Sequence, residues 1–254
     1  MEYLNSPFWQ RQPFFPLEIQ RFLRTRFEKA LHDPLDRQHL VWPLILGSPG
    51  ILKNFTKGIP TEELLVQAAK MLAAVEIKEP SISWHYHQEL FPDTASMQEV
   101  GWVPHVSWRA WAPMVSLRIG WQLSSLTGID PGVDYLFKCG ISLFNNGLYF
   151  ECHDALEPLW LNARGEEKTN LQSLILLAAG FHHIQHQNSA GAQSVWKDAL
   201  TRLNGRGRFT LSMGKLEIDE SLRISSLIVS ELDSVNGIDW GKIWQLPKPR
   251  WNLV

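Results

Sequence analysis

With 254 residues and a net charge of −2, the chain can form a large core and has no charge excess to attract nucleic acid or an anionic membrane. Its longest apolar run, Leu174 to Phe181, is too short to span a bilayer. It contains two cysteines and shows no signal peptide, so we predict a soluble, cytoplasmic protein with buried, reduced thiols at Cys139 and Cys152.

Residues 1–128 are predicted to form an irregular, Trp-rich and mostly helical extension. Helical spacing of apolar residues runs from Leu17 to Leu31 and resumes after Thr61, which is a good capping residue. The tripeptide His85-Tyr86-His87 is a weak metal signal, and a loop whose aromatic rings cover the core explains it as well.

Residues 129–236 are predicted to form a domain of helical hairpins, and the Pro- and Trp-rich tail, 237–254, is predicted to pack on it. The fold class is therefore all-α. Pro158 should kink its helix, and the segments Ala163–Lys168 and Gly205–Arg208 are interpreted as a polar loop and a basic surface turn. The predicted helices start at Pro131, Leu148 or Tyr149, Thr169, Ser189 and Asp219.

Chemistry-bearing side chains are concentrated in two of these helices. His153, Glu157 and Trp160 follow one another at spacings of four and three, which places them on one helix face. In the next helix, His182 and His186 are one turn apart, and His183 lies about a hundred degrees away around the axis.

The stretch from Phe144 to Leu203 resembles a small all-α family known as domain of unknown function family 309. The resemblance rests on His153, Glu157 and Trp160, which match a His-x-x-x-Glu-x-x-Trp or Tyr motif, on Phe144-Asn145-Asn146-Gly147 before it, and on the two helices after it. Asp154 stands where that family often has Glu, and Gln187 where it often has Gly. The resemblance implies a compact helical domain with a capacity for metal binding.

We predict a divalent-metal site in which His153, Glu157, His182 and His186 are ligands for zinc, manganese or iron. Glu157 is also the candidate catalytic residue if the protein is a metal-dependent hydrolase. The residues expected to support the ligands or to wall the pocket are Asp154, Trp160, Gln172 and His183.

Two other interpretations stay open at the level of the sequence. The His and Glu side chains could form a structural core network, or they could perform acid–base chemistry without a metal. If they form a structural network, the protein would be a non-catalytic interaction or scaffold module, with the Trp-rich half as its binding surface. The expected partner is a small molecule or a protein, and a nucleic-acid role ranks last because basic and acidic residues are balanced.

Overall fold

The computed structural model describes residues 24, 25, 27, 29 and 131–254. The first four are helical and belong to a separate unit, Pro13–Arg118. The other predictions for residues 1–128, including the His85-Tyr86-His87 site and the domain boundary near residue 128, lie outside the described residues.

Residues 131–254 form a bundle of helices with one small sheet, which confirms the all-α prediction for this part of the chain. The helices are α1 (Pro131–Asn145), α2 (Tyr149–Asn162), α3 (Gly165–Gln185), α4 (Ser189–Leu203), α5 (Asp219–Leu232) and α6 (Trp240–Gln245). The strands are β1 (Arg208–Leu211), β2 (Gly214–Glu217) and β3 (Asn252–Leu253). Among these residues, no helix combines the length and the hydropathy needed to cross a bilayer.

Helices α1 to α4 pack in chain order, each against the next. Very short connections, residues 146–148, 163–164 and 186–188, favour antiparallel neighbours. Local signals set the helix ends. The Asn188 side chain accepts a hydrogen bond from the Gly191 amide at the start of α4, and Asn204 ends α4 in the left-handed conformation, at φ 47°.

Five aromatic side chains form the centre of the bundle, and we call them the aromatic core. Each is at most 1% exposed. Phe144 stacks on Trp251 with ring centroids 3.9 Å apart, and Phe181 meets Trp196 edge to face at 4.9 Å. Such pairs contribute about 0.5–1.5 kcal/mol each beyond the area they bury. The members are Phe144, Tyr149, Phe181, Trp196 and Trp251.

Gly180 makes room for the largest ring of the aromatic core. A Cβ atom at Gly180 would overlap the indole of Trp196, whose Nε1 donates a hydrogen bond to the Leu177 carbonyl over 3.0 Å. A glycine inside a helix costs about 0.5–1 kcal/mol relative to alanine. The close approach of α4 to α3 offsets this cost.

Buried polar bonds connect segments that are far apart in the chain. The Asn145 amide donates to the Trp251 carbonyl and its Oδ1 accepts from the Trp251 amide, both over 2.8 Å. Gln185, buried at the end of α3, donates to the Gly147 carbonyl over 2.9 Å. These bonds hold residue 251 and the connection between α1 and α2 against the bundle.

The structure corrects two predictions of local structure. Arg208 begins β1 instead of ending a surface turn, and the sheet has the antiparallel order β1-β2-β3. The loop predicted for Ala163–Lys168 is shorter, because α3 already begins at Gly165 and carries Glu166 and Glu167 in its first turn, where acids complement the helix dipole. Helix α2 runs through Pro158 without a break, and the expected kink stays a prediction.

Candidate functional site

Three side chains of α2 bring potential metal-binding atoms together, and we call them the α2 cluster: His153, Asp154 and Glu157. One nitrogen or oxygen atom of each lies within 4.8 Å of the others. The side chain of His153 is 33% exposed, that of Asp154 is 11% exposed, and Glu157 is exposed. The α2 cluster is therefore open to solvent on its outer side.

The contact between His153 and Asp154 fixes which imidazole nitrogen is available. Nδ1 of His153 lies 3.2 Å from Oδ1 of Asp154. An ionised carboxylate accepts hydrogen bonds and donates none, so the hydrogen belongs on Nδ1. The neutral ring then presents the lone pair of Nε2, which is the arrangement that metal-binding histidines adopt beside a carboxylate.

The separation of the three ligand atoms allows one cation after a small adjustment. Bonds of about 2.0–2.2 Å in a tetrahedral arrangement place ligand atoms roughly 3.3–3.6 Å apart. The atoms of the α2 cluster, within 4.8 Å of one another, must therefore approach by an ångström or so. Glu157 is exposed on the helix surface, and rotation of its side chain between staggered rotamers can supply this movement.

The histidines of α3 lie beside the α2 cluster but are not members of it. Their rings, His182 and His186, meet edge to face with centroids 4.5 Å apart. Phe150 contacts rings on both helices, with centroid distances of 6.1 Å to His153 and 5.3 Å to His182. The ligand roles predicted for His182 and His186 stay predictions.

His183 is part of the turn that joins α3 to α4. Its Nδ1 lies 3.2 Å from Nδ2 of Asn188, and Oδ1 of the same Asn188 caps α4 through the Gly191 amide. Because an amide NH₂ group donates, Nδ1 of His183 accepts this hydrogen bond. This geometry gives His183 a role in the connection between the helices.

The remaining predicted site residues, Trp160 and Gln172, are both half-buried. Trp160 is half-buried, and the Lys168 ammonium lies 5.0 Å from its ring centroid, so a cation covers one ring face. Gln172 is half-buried on α3 and is not a member of the α2 cluster. The supporting roles predicted for both residues stay predictions.

Sequence reasoning missed two features of this site. Asp154, expected to support a ligand, has its own carboxylate within ligand reach, and its position next to His153 was the available signal. Phe150 could not have been identified, since its contact with His182 depends on how α2 and α3 pack.

The buried thiols near the site are poor nucleophiles. Cys139 and Cys152 are both free and fully buried. Burial raises the pKa of the Cys152 thiol well above its usual value, and the neighbouring Cys139 raises it further. A protonated, inaccessible thiol does not react.

Comparison with known proteins identifies a family for this region. Residues 137–195, from α1 into α4, match the model of the family described as Domain of unknown function (DUF309), and this segment contains the whole α2 cluster. No curated protein and no solved structure matches the chain. The His-x-x-x-Glu-x-x-Trp motif as a family hallmark stays a prediction. The C-terminal part of this chain is therefore similar to DUF309, as its sequence predicted.

Proposed function

We propose that this protein binds one divalent transition metal, zinc, manganese or iron, at the α2 cluster. The observation that carries the proposal is the convergence of three N and O ligand atoms, from His153, Asp154 and Glu157, within 4.8 Å. One imidazole with carboxylates is a ligand set that suits these metals. His182 of α3 is the first candidate for a further ligand, and His186 is the second.

The exposure of the α2 cluster supports a metal over a structural network. A polar network that fixes helix packing is expected to be buried, and Glu157 is exposed. An exposed charge contributes little to stability, about 0–1 kcal/mol even when it is paired, so Glu157 would do little for the fold alone. Accessible ligands also leave room for water or a substrate on the cation.

Metal-assisted hydrolysis is the reaction that fits such a site best. A bound divalent cation lowers the pKa of a coordinated water and polarises a carbonyl or phosphoryl oxygen. In this chain, Asp154 orients the His153 ring, and the carboxylate of Glu157 holds the cation or accepts a proton from the water.

Elemental analysis of protein purified without a metal-affinity tag tests the proposal. We expect about one transition-metal ion per chain after incubation with zinc, manganese or iron and extensive dialysis. His153→Ala and Glu157→Ala should each lose it. Asp198→Asn is a matched control, because Asp198 is an exposed carboxylate on α4 that pairs with Arg202 one turn away.

The outcomes separate the two classes of function. Metal lost in the α2 variants and kept in Asp198→Asn supports the site and justifies a screen of hydrolase substrates. A wild-type protein that retains none of the three metals would overturn the proposal. The α2 cluster would then be surface structure on a scaffold or interaction module.

A further inference from the structure

A polar cavity lies where the end of α1 meets the last residues of the chain, and none of its described lining residues belongs to the α2 cluster. Its volume is about 420 Å³. Among the described residues, it is lined by five residues between Lys138 and Asn146 and by five between Lys248 and Leu253. Cavities that bind small molecules measure about 300–1,000 Å³. The space is therefore large enough for a small organic ligand.

The cavity has a net positive lining. Lys138, Lys248 and Arg250 contribute to its wall, and no carboxylate side chain is among the described lining residues. The Lys138 ammonium is buried and lies 2.6 Å from the Asp134 carboxylate, which neutralises it. Within residues 131–254, Lys248 and Arg250 form no ion pair, so about two positive charges remain.

The lowered pKa of Lys248 indicates that its charged form is disfavoured in the cavity wall when no anion is bound. Burial and, to a smaller degree, the charge of Arg250 together lower the pKa of Lys248 from 10.5 to about 8. Lys248 is half-buried and Arg250 is exposed. Partly burying an ammonium beside a second cation costs free energy unless an opposite charge compensates it. An anion in the cavity would supply that charge.

The carbonyl groups at the C-terminal end of α1 already accept hydrogen bonds within the chain and do not require Lys248 or Arg250 as donors. The Ser142 carbonyl accepts from both the backbone and the side-chain amide of Asn146. The carbonyls of Leu143 and Phe144 accept from the amides of Leu148 and Gly147. Since these groups are bonded within the chain, capping of the helix does not account for Lys248 and Arg250.

The Trp251 ring contributes to the cavity wall. Its side chain is 1% exposed, and among the described residues its buried indole Nε1 has no hydrogen-bond partner. The aromatic core fixes this ring, because Trp251 stacks on Phe144.

We infer that this cavity binds a small organic phosphate, whose dianionic group pairs with Lys248 and Arg250. A phosphomonoester carries about −1.5 to −2 charges at pH 7, which matches two cations better than a carboxylate does. Arg forms bidentate hydrogen bonds with phosphate oxygens, and Lys acts as a point charge. Ile141 and Leu253 supply apolar wall for the organic part. This inference is independent of metal at the α2 cluster.

Isothermal titration calorimetry of the full chain with phenyl phosphate tests the inference, with inorganic phosphate and benzoate as comparison probes at equal ionic strength. We expect saturable 1:1 binding of phenyl phosphate, weaker binding of inorganic phosphate, and benzoate weaker than phenyl phosphate by about tenfold or more. Lys248→Met and Arg250→Gln should each weaken phenyl phosphate about tenfold.

The matched control is Lys242→Met, since Lys242 is an exposed cation on α6 outside the cavity and near Glu231 and Asp239. Phenyl phosphate affinity within about twofold of wild type in this variant supports the site. Lys248→Met should fold, because it removes a cation that burial disfavours, and a thermal unfolding transition at or above that of wild type checks this. The inference is overturned by absent saturable binding, by benzoate binding as tightly, or by equal losses in all three variants.

Discussion

The aromatic core and the α2 cluster belong to one helical bundle and differ in burial and in chemistry. Phe181 contacts Phe144 at a ring distance of 5.6 Å and Trp196 at 4.9 Å, and all three are at most 1% exposed. His153 is a third exposed and Glu157 is exposed. The core residues are held by close packing, whereas the cluster presents polar atoms to solvent.

This difference separates stability from function within one helical bundle. A substitution in the aromatic core should lower the free energy of unfolding and affect the α2 cluster only through the fold. A substitution in the α2 cluster should leave the fold intact and remove the metal. Each of the following substitutions tests this separation, from the largest expected effect on stability to the smallest.

Of these substitutions, removal of the Trp196 indole should lower the free energy of unfolding the most. Trp196→Ala removes the edge-to-face contact with Phe181 and the hydrogen bond to Leu177, so the free energy of unfolding should fall by about 3–5 kcal/mol. Urea unfolding followed by circular dichroism measures the loss. The control is Trp240→Ala on α6, a half-buried ring that stacks on Trp244, for which we expect less than half that loss.

Adding one methyl group opposite that indole should also destabilise. Gly180→Ala places a Cβ atom against the Trp196 ring and should cost about 1–3 kcal/mol. A double-mutant cycle with Trp196→Phe identifies the cause, because the smaller ring leaves space for the methyl group. If Gly180→Ala cost the same in both backgrounds, the contact between α3 and α4 would not explain the glycine.

Lys248, in the wall of the basic cavity, should lower the free energy of unfolding by an amount that depends on pH. Since Lys248 has a pKa of about 8 in the folded protein and 10.5 as its usual value, the unfolded chain binds the extra proton between these pH values. Native stability from Lys248 therefore rises with pH across that window. Lys248→Met should be more stable than wild type at pH 7, and the difference should shrink as the pH rises from about 8 to 10.5.

This comparison must be made between variant and wild type at each pH. Burial raises the pKa of both Cys152 and Tyr149, whose usual values are 9.0 and 10.0. Above those values the unfolded state loses protons that the native state keeps, which lowers stability as the pH rises. Both groups are unchanged in Lys248→Met, so their contribution cancels. A difference that grew with pH would contradict the assignment to Lys248.

Changes in the α2 cluster should have the smallest effect on stability. Glu157→Gln keeps the shape of an exposed side chain and should change the free energy of unfolding by less than about 0.5 kcal/mol without metal. Thermal unfolding of the metal-free protein measures this, and added zinc should raise the transition of the wild type more than that of the variant. A large loss in the metal-free variant would instead make Glu157 a structural residue.

Local signals in the sequence predicted the helices and part of the site. Helix α5 begins at Asp219, as its sequence predicted, and α2 begins at Tyr149, one of its two predicted starts. These signals lie within a few residues of the feature they set. In the same way, the spacing of four placed His153 and Glu157 together on α2, although their metal-binding role stays a prediction.

Features that depend on distant residues could not be predicted. Asn145 bonds Trp251 across 106 positions in the chain, and both residues line the basic cavity. The sheet was missed because β1 and β2 have four residues each and β3 has two, too short for an alternating pattern to stand out. The neighbourhood of Phe150 and His182 likewise depends on helix packing.

X-ray absorption spectroscopy at the zinc edge, on zinc-loaded protein, tests the central claim most directly. We expect one zinc ion per chain with nitrogen and oxygen ligands at about 2.0–2.2 Å and no sulfur at about 2.3 Å. His153→Ala should retain no zinc and therefore show no imidazole scattering at the zinc edge, whereas His183→Ala, whose ring contacts Asn188 at the start of α4, should keep both. A thiolate shell, or an imidazole signal that His153→Ala leaves unchanged, would contradict a metal site at the α2 cluster.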